Sequence, residues 1–210
     1  MQPTLLAILG KPLAGKDTQA DLLVSANPEA VKISTGHIIR SVREEGETHR
    51  FWPILGPYIH MMEQGLKLPD EPTLEMLGEV INEQLTEGKN LLIVAGSPRG
   101  FAQLEGFNEI SRATGANLMF VHLDATDEET YKRSANRNEG RVDDTPEVHK
   151  VRLDEYRAHV EPVVEHLRRE GRIIELDAMQ PIEGVFRALE SELRARVFEP
   201  EASLPRMARR

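Results

Sequence analysis

The sequence predicts an α/β fold in which a five-stranded parallel sheet is flanked by helices. Five short apolar runs alternate along the chain with segments of helical periodicity, as in the strand–helix–strand units of a parallel sheet. The first of these runs leads directly into a loop with two glycines and a lysine, and a helical pattern follows the loop. A strand, a glycine loop and a helix in this order are typical of a phosphate-binding site at a strand end.

The predicted elements follow from apolar runs and helical spacing in chain order. The predicted strands are Leu5–Leu9, Val31–Ile33, Asn90–Ala95, Asn117–Leu123 and Arg172–Leu176. The predicted helices are Thr18–Val24, Pro72–Leu85, Phe101–Ala113, Glu128–Asn136, Pro146–Glu170 and Pro181–Val197. Residues 37–70 contain short helical pieces broken by glycine and proline, and residues 137–146 are charged and turn-rich. Both stretches are typical of mobile lids.

The composition narrows the classes of function. A net charge of −9 argues against general binding to nucleic acid or to membrane surfaces. The chain contains no cysteine, which excludes disulfides and thiolate metal sites and is compatible with a reducing cytosol. No apolar run approaches the ~18 residues of a membrane span. We therefore expect a cytoplasmic monomer with a single domain at residues 1–198 and a flexible tail at residues 199–210.

The loop from Gly10 to Thr18 is predicted to bind phosphate. Its glycines let backbone N–H groups turn toward phosphate oxygens, and the lysine ammonium reaches the outer phosphates. Asp17 stands where a Ser or Thr usually follows the lysine, and the threonine comes one residue later. A glycine turn entering a helix is the alternative that the residues leave open. The expected phosphate-binding residues are Gly10, Leu13, Ala14, Gly15, Lys16, Asp17 and Thr18.

Six arginines follow predicted strand ends or lie on the helices near them. They are Arg40, Arg99, Arg133, Arg137, Arg141 and Arg152. Phosphoryl transfer needs positive charge around both reactants and little covalent chemistry from the protein. Each arginine alone is more often a surface residue, but six around one crevice of an acidic chain are hard to attribute to solvation.

Several motifs occur in the chain in a fixed order. They are Gly10–Gln19, Ser34-Thr35-Gly36-x-x-x-Arg40, Gly65–Asp70, Gly96-Ser97-Pro98-Arg99 with Gln103, Leu123-Asp124, Arg133-x-x-x-Arg137, Gly140–Asp144 and Arg152-Leu153-x-x-Tyr156. Together they resemble the adenylate kinase family of nucleoside monophosphate kinases, from about residue 3 to about residue 195. The resemblance implies a phosphate-loop kinase fold with a helical acceptor lobe at about 35–70 and a short lid at about 137–146.

The resemblance also implies roles for individual residues. On the donor side, the residues expected to contact the nucleotide besides the loop are Arg133 and Arg137. On the acceptor side, the expected binding residues are Thr35, Arg40, Leu68, Gly96, Arg99, Gln103, Arg141 and Arg152. The residues expected to act in catalysis are Lys16, Arg99, Arg133, Arg141 and Arg152.

The implied reaction transfers the terminal phosphoryl group of ATP to AMP, giving two ADP, with Mg²⁺. Gln103 carries the expectation for AMP, because an amide offers a donor and an acceptor that match the adenine edge. Gln103 as a merely polar residue on a helix's first turn is the alternative. Two other functions stay open: a kinase for another monophosphate or small phosphorylated metabolite, and a nucleotide-binding sensor with weak or no catalysis.

The chain departs from the family pattern mainly around the metal. Family members usually carry aspartates where His37 and Ala95 stand, and those carboxylates organise water around the magnesium. Magnesium favours carboxylate and hydroxyl oxygens, so we hypothesise that Asp17, with Thr18, partly replaces them. The competing interpretation is that Asp17 repels phosphate and that catalysis is weak. Leu13 replaces a glycine of the loop, and Ser97 replaces an aromatic residue.

Overall fold

A computed structural model describes residues 2–136 and 145–198. Within these ranges, five parallel strands form one sheet in the order β2-β3-β1-β4-β5. The strands are β1 (Thr4–Gly10), β2 (Ala30–Ser34), β3 (Leu91–Ala95), β4 (Asn117–Asp124) and β5 (Ile173–Asp177). The predicted five-stranded parallel sheet is therefore confirmed, and each strand overlaps the apolar run that predicted it.

Helices connect the strands and cover the sheet. They are α1 (Lys16–Ala26), α2 (Thr35–Glu45), α3 (Trp52–Leu55), α4 (Ile59–Glu63), α5 (Asp70–Thr86), α6 (Phe101–Thr114), α7 (Asp127–Ala135), α8 (Pro146–Glu155), α9 (Glu161–Arg169) and α10 (Ile182–Leu193). Short 3₁₀ turns at Gly46–Thr48 and Gly56–Tyr58 separate α2, α3 and α4, as expected from the glycines and prolines of this stretch. Among the described residues, no helix combines the length and apolarity needed to cross a membrane.

The predicted helix at Pro146–Glu170 is helical throughout but not regular. Between α8 and α9 the chain makes a π-helical turn, Tyr156–Val160. The helix begins at the Thr145 cap, whose hydroxyl accepts the Val148 N–H at 3.2 Å. Proline follows that cap at the first helical position, where its missing N–H is not needed. A second π-helical segment, Arg194–Phe198, ends the described chain.

The sheet is buried on both faces, which explains why its strands are continuous apolar runs. Leu5, Ala7 and Leu9 pack into one core with α2, α5, α6 and α9, while Leu6 and Ile8 pack into the other with α1 and α10. Burying a side chain of this size contributes roughly 1.5–3 kcal/mol. The two cores hold the strand ends at fixed positions.

The strand order places a crevice at the carboxyl edge of the sheet. β1 lies between β3 and β4, with Ile8 opposite Ala95 and Gly10 opposite Leu123. The chain leaves β1 toward the β2 edge, whereas it leaves β3 toward β4 on the other side. Ligands bind in α/β sheets where neighbouring connections diverge in this way. The predicted lid and tail lie mainly outside the described residues, at 137–144 and 199–210.

Candidate active site

A cleft that is open to solvent lies at this carboxyl edge. Its walls come from the loop after β1, the start of α2, the segment before α5, the turn after β3 and the α8–π-turn segment. The sequence-predicted residues that line it are Gly10, Leu13, Lys16, Asp17, Arg40, Leu68, Gly96, Arg99 and Arg152. The structure thus brings donor-side and acceptor-side candidates together in one space.

Two glycines are required by the conformation of the loop after β1. Gly10 has φ +150°, and a Cβ there would lie 2.7 Å from the Leu123 carbonyl oxygen. Gly15 has φ +96° and occupies the N-cap of α1. Glycine adopts these conformations without the penalty that an L side chain meets. The loop therefore passes close to β4 and delivers the N-terminus of α1, a favourable place for an anion, to the cleft.

Lys16 is held against the loop by two backbone carbonyls. Its Nζ donates to Gly10 O at 2.8 Å and to Lys11 O at 2.7 Å. Burial, followed by the nearby positive charges of Arg99 and Arg152, lowers the pKa of Lys16 to about 8, while Asp17 opposes the shift. At neutral pH the Lys16 ammonium is charged although its surroundings disfavour the charged form. A bound polyphosphate would stabilise that charge.

Leu13 is the one non-glycine residue with positive φ in the described chain, at +63°. This conformation costs an L residue roughly 1–2 kcal/mol. The side chain of Arg133 reaches this point from α7: Nη1 donates to Leu13 O at 3.2 Å and Nη2 to Ala178 O at 2.7 Å. Of the predicted donor-side residues in the described chain, Arg133, Ala14 and Gly15 do not line the cleft. The direct contact of Arg133 with the donor stays a prediction.

Arg99 occupies the turn between β3 and α6. Its Nε donates to Gly96 O at 2.7 Å, and its backbone N–H donates to Gln103 Oε1 at 2.7 Å. Burial, followed by the positive charge of Arg152, lowers the pKa of Arg99, while Glu155 and Asp17 oppose this shift. The side chains of Arg99, Arg152 and Lys16 thus act on one another electrostatically at the centre of the cleft.

Gln103 is 1% exposed and lies on the first turn of α6, as expected, but it is not among the described residues that line the cleft. Its amide oxygen is engaged by the Arg99 N–H, so it supports the turn that carries Arg99. Thr35 is buried as well, and its hydroxyl lies 3.2 Å from that of Ser97, which does line the cleft. Contact of either residue with the acceptor base stays a prediction.

The cleft contains polar residues that were not predicted as site residues, among them Glu155, His159 and Tyr156, the last known only as part of a motif. Glu155 accepts the Lys67 backbone N–H at 3.0 Å, and His159 Nε2 lies 3.8 Å from its carboxylate. Tyr156, at the start of the π-turn, lies 3.0 Å from the buried His122 ring through its hydroxyl. The positions 152, 155, 156 and 159 share one helical face, and that spacing from Arg152 was the available signal.

Asp17 and Thr18 were the candidate magnesium ligands. Asp17 lines the cleft with an exposed carboxylate, 3.9 Å from Lys32 Nζ, whereas Thr18 is exposed and does not line it. Within the described residues, no three His, Cys, Asp or Glu side chains are grouped as metal ligands would be. One carboxylate fits a magnesium ion carried mainly by substrate phosphates and water, as is usual for this cation.

Two sequence-predicted residues lie outside the described residues. They are Arg137 and Arg141, so their assignment to the donor and to the transferring group stays a prediction. Of the six arginines, the structure therefore places Arg40, Arg99 and Arg152 on the cleft wall and Arg133 behind the loop.

Known proteins match this chain over nearly its whole length. A family model described as adenylate kinase matches residues 8–172. The adenylate kinase of Phenylobacterium zucineum is 32% identical over 192 residues, which cover 90% of this chain and 96% of that protein. The adenylate kinase of Methylobacterium nodulans is 33% identical over 198 residues, with 90% and 96% covered. UMP-CMP kinase 3 of Arabidopsis thaliana is 29% identical over 202 residues, with 96% and 92% covered.

Proposed function

The chain belongs to the adenylate kinase family of nucleoside monophosphate kinases, and we propose that it transfers the terminal phosphoryl group of ATP to AMP, giving two ADP. The observation that carries the proposal is the meeting of Lys16, Arg99 and Arg152 in one cleft, each from a different element. In this reaction, an oxygen of the acceptor phosphate forms a bond to the terminal phosphorus of ATP while the bond to the leaving ADP breaks. The protein's main task is to hold both phosphates and balance their charge.

The loop after β1 is the evidence for the proposed ATP site. The N–H groups at the start of α1 and the Lys16 ammonium would bind the β- and γ-phosphates of ATP. Burial and neighbouring cations lower the pKa of Lys16. The negative phosphates would act in the opposite direction and stabilise its charged form. The charge that develops in the transition state would meet an ammonium already held in place by Gly10 O and Lys11 O.

The proposed acceptor side is supported by Arg40, Arg99 and Arg152, which line the same cleft as Lys16. The Arg99 guanidinium is oriented by its bond to Gly96 O. An acceptor phosphate between Arg99 and Arg152 would offset the mutual effect by which Arg152 lowers the pKa of Arg99. Closure of the predicted lid over the bound substrates would also exclude water, which otherwise hydrolyses ATP.

Magnesium would be held by the donor phosphates and by Asp17, whose carboxylate follows Lys16 in the loop and lines the cleft. The ion supplies positive charge that neutralises the phosphates during transfer. Asp17→Ala and Asp17→Gly, compared with wild type at varied magnesium, test this assignment. We expect a raised magnesium requirement in both variants; unchanged activity with unchanged magnesium dependence in either one would contradict it.

The acceptor is tested by a coupled assay with AMP, CMP, UMP, GMP and deoxynucleoside monophosphates at saturating ATP and magnesium. We expect the highest kcat/KM with AMP. A higher value with CMP or UMP would favour the second candidate, a pyrimidine monophosphate kinase, which the match to UMP-CMP kinase 3 supports. Tight nucleotide binding without ADP production would instead indicate a sensor, as the residues His37 and Ala95 in place of family aspartates suggest.

A further inference from the structure

We infer that Arg133 is a positioning residue of the phosphate loop, whose guanidinium holds the Leu13 carbonyl and thereby the left-handed backbone at that residue. The inference depends on donor binding at this loop and not on the identity of the acceptor. It assigns Arg133 a function different from the direct nucleotide contact that family resemblance implies.

The guanidinium of Arg133 uses all three of its nitrogen atoms inside the protein. Nη1 donates to Leu13 O at 3.2 Å, Nη2 to Ala178 O at 2.7 Å and Nε to Glu129 Oε1 at 2.9 Å. Glu129 lies one turn earlier on α7, so the ion pair fixes the direction of the planar group. One side chain thus joins the loop after β1, the segment after β5 and α7.

Leu13 is the residue of the loop that most needs such support. It follows Pro12 in a turn closed by the Ala14 N–H, which donates to Lys11 O at 3.1 Å. Turns with proline second and a positive φ third usually have glycine at the third position. Leu13 adopts φ +63° there with a full side chain. The hydrogen bond from Arg133 stabilises this peptide orientation against the right-handed alternatives that leucine prefers.

The planarity of the peptide unit connects this contact to phosphate binding. When Arg133 holds the Leu13 carbonyl, it also fixes the Ala14 N–H on the other side of the same peptide plane. That N–H closes the turn, and the next residues, Gly15 and Lys16, lead into α1. The direction of the first N–H groups of α1 therefore depends on the turn being closed.

The same helix holds the loop at a second point. Lys11 Nζ lies 2.7 Å from Asp127 Oδ1 at the first residue of α7. Residues near the two ends of α7 thus bind the turn at Lys11 and at Leu13. The Lys11 side chain makes this second contact, whereas Arg133 bonds the backbone of the loop. Substitution of Arg133 therefore tests the inference.

The experiment is a double-mutant cycle of Arg133→Met and Leu13→Gly, with binding of ATP and of inorganic tripolyphosphate measured by calorimetry without magnesium or acceptor. In the Leu13 background, we expect Arg133→Met to weaken both ligands roughly tenfold. In the Leu13→Gly background, where positive φ is no longer disfavoured, we expect a loss of less than about threefold. An equal loss in both backgrounds, or a loss for ATP alone, would overturn the inference and indicate direct contact with the nucleotide.

Two further variants keep the result interpretable. Lys132→Met, on an exposed neighbour in the same helix, is the matched control and should change neither Kd by more than about twofold. Glu129→Gln removes only the charge that orients Arg133. If Arg133→Met does not fold, this variant should weaken tripolyphosphate about threefold in the Leu13 background and not in the glycine background. Equal losses of tripolyphosphate affinity in the two backgrounds would contradict the inference. If the binding results are as expected but the protein makes no ADP, only the proposed function is contradicted.

Discussion

Arginines at the carboxyl edge of the sheet differ sharply from arginines on its outer surface. Arg99 is half-buried beside Arg152 and Lys16, and partial burial and the charge of Arg152 lower its pKa. Arg168 on α9 instead donates from Nε to both oxygens of Glu175 on β5, each at 3.0 Å, and this hydrogen bonding raises its pKa. Arg168 is stabilised by its own partner, whereas the cleft gathers cations whose mutual effect is unfavourable.

Positive charge thus occurs in two different settings in this acidic chain. A cation with its own carboxylate at the surface contributes little and needs no further ligand. In the cleft, burial and neighbouring positive charge lower the pKa values of Lys16 and Arg99, so the fold holds these cations there at a cost, and an anion bound among them offsets that cost. Substitutions should therefore affect activity strongly in the cleft and weakly at the surface pair.

Lys16→Met should lower kcat/KM for ATP roughly 10³-fold, because it removes the cation expected to meet the developing charge. The Tm should not fall, since burial disfavours the charged form that the variant lacks. Steady-state kinetics and thermal unfolding of the same preparation check both parts. Loss of activity with a clearly lower Tm would indicate a structural lysine instead.

Arg99→Lys should lower kcat/KM for the monophosphate about 100-fold while changing KM for ATP little. An ammonium cannot reproduce the planar group that bonds Gly96 O and faces the cleft. The measurement is initial rates with each substrate varied in turn. A loss shared equally by both substrates would show that the turn has collapsed and that the acceptor wall is not specifically affected.

Donor binding should weaken about tenfold between pH 7 and pH 9. The pKa of Lys16 is about 8, so its binding-competent ammonium predominates below pH 8 and is lost as the pH rises above it. Calorimetric Kd values for ATP without magnesium across this range give the profile. Lys16→Met should bind weakly and show a flat profile; a wild-type profile that is equally flat would contradict the assignment to Lys16.

Arg168→Lys should have the smallest effect. We expect kcat/KM within about twofold of wild type and a free energy of unfolding within about 1 kcal/mol, because the pair with Glu175 is exposed to solvent. Urea unfolding and the coupled assay check this, and the variant is the matched control for Arg99→Lys. A catalytic defect comparable to that of Arg99→Lys would break the distinction between the two settings.

Much of the fold could be predicted because buried parallel strands leave a strong pattern. All five apolar runs became strands, since a strand covered on both faces has no polar side to interrupt it. The π-turn at Tyr156–Val160 was not predicted, because one added residue in a helical turn leaves the apolar spacing nearly unchanged. The positions of Lys16 and Arg99 on one cleft followed from the rule that parallel strands end at the same edge, whereas that of Arg152 followed from the family resemblance.

The sequence by itself determined the sheet, the glycine loop between β1 and α1, the family and several of the residues that line the cleft, because local patterns and ordered motifs carry that information. The tertiary structure alone decided what the remaining candidates contact. Arg133 is 120 positions from Leu13 yet bonds its carbonyl, and Thr35 is 62 positions from Ser97 yet their hydroxyls lie 3.2 Å apart. Such partners are set by how helices pack on the sheet, and neither spacing nor composition records that packing.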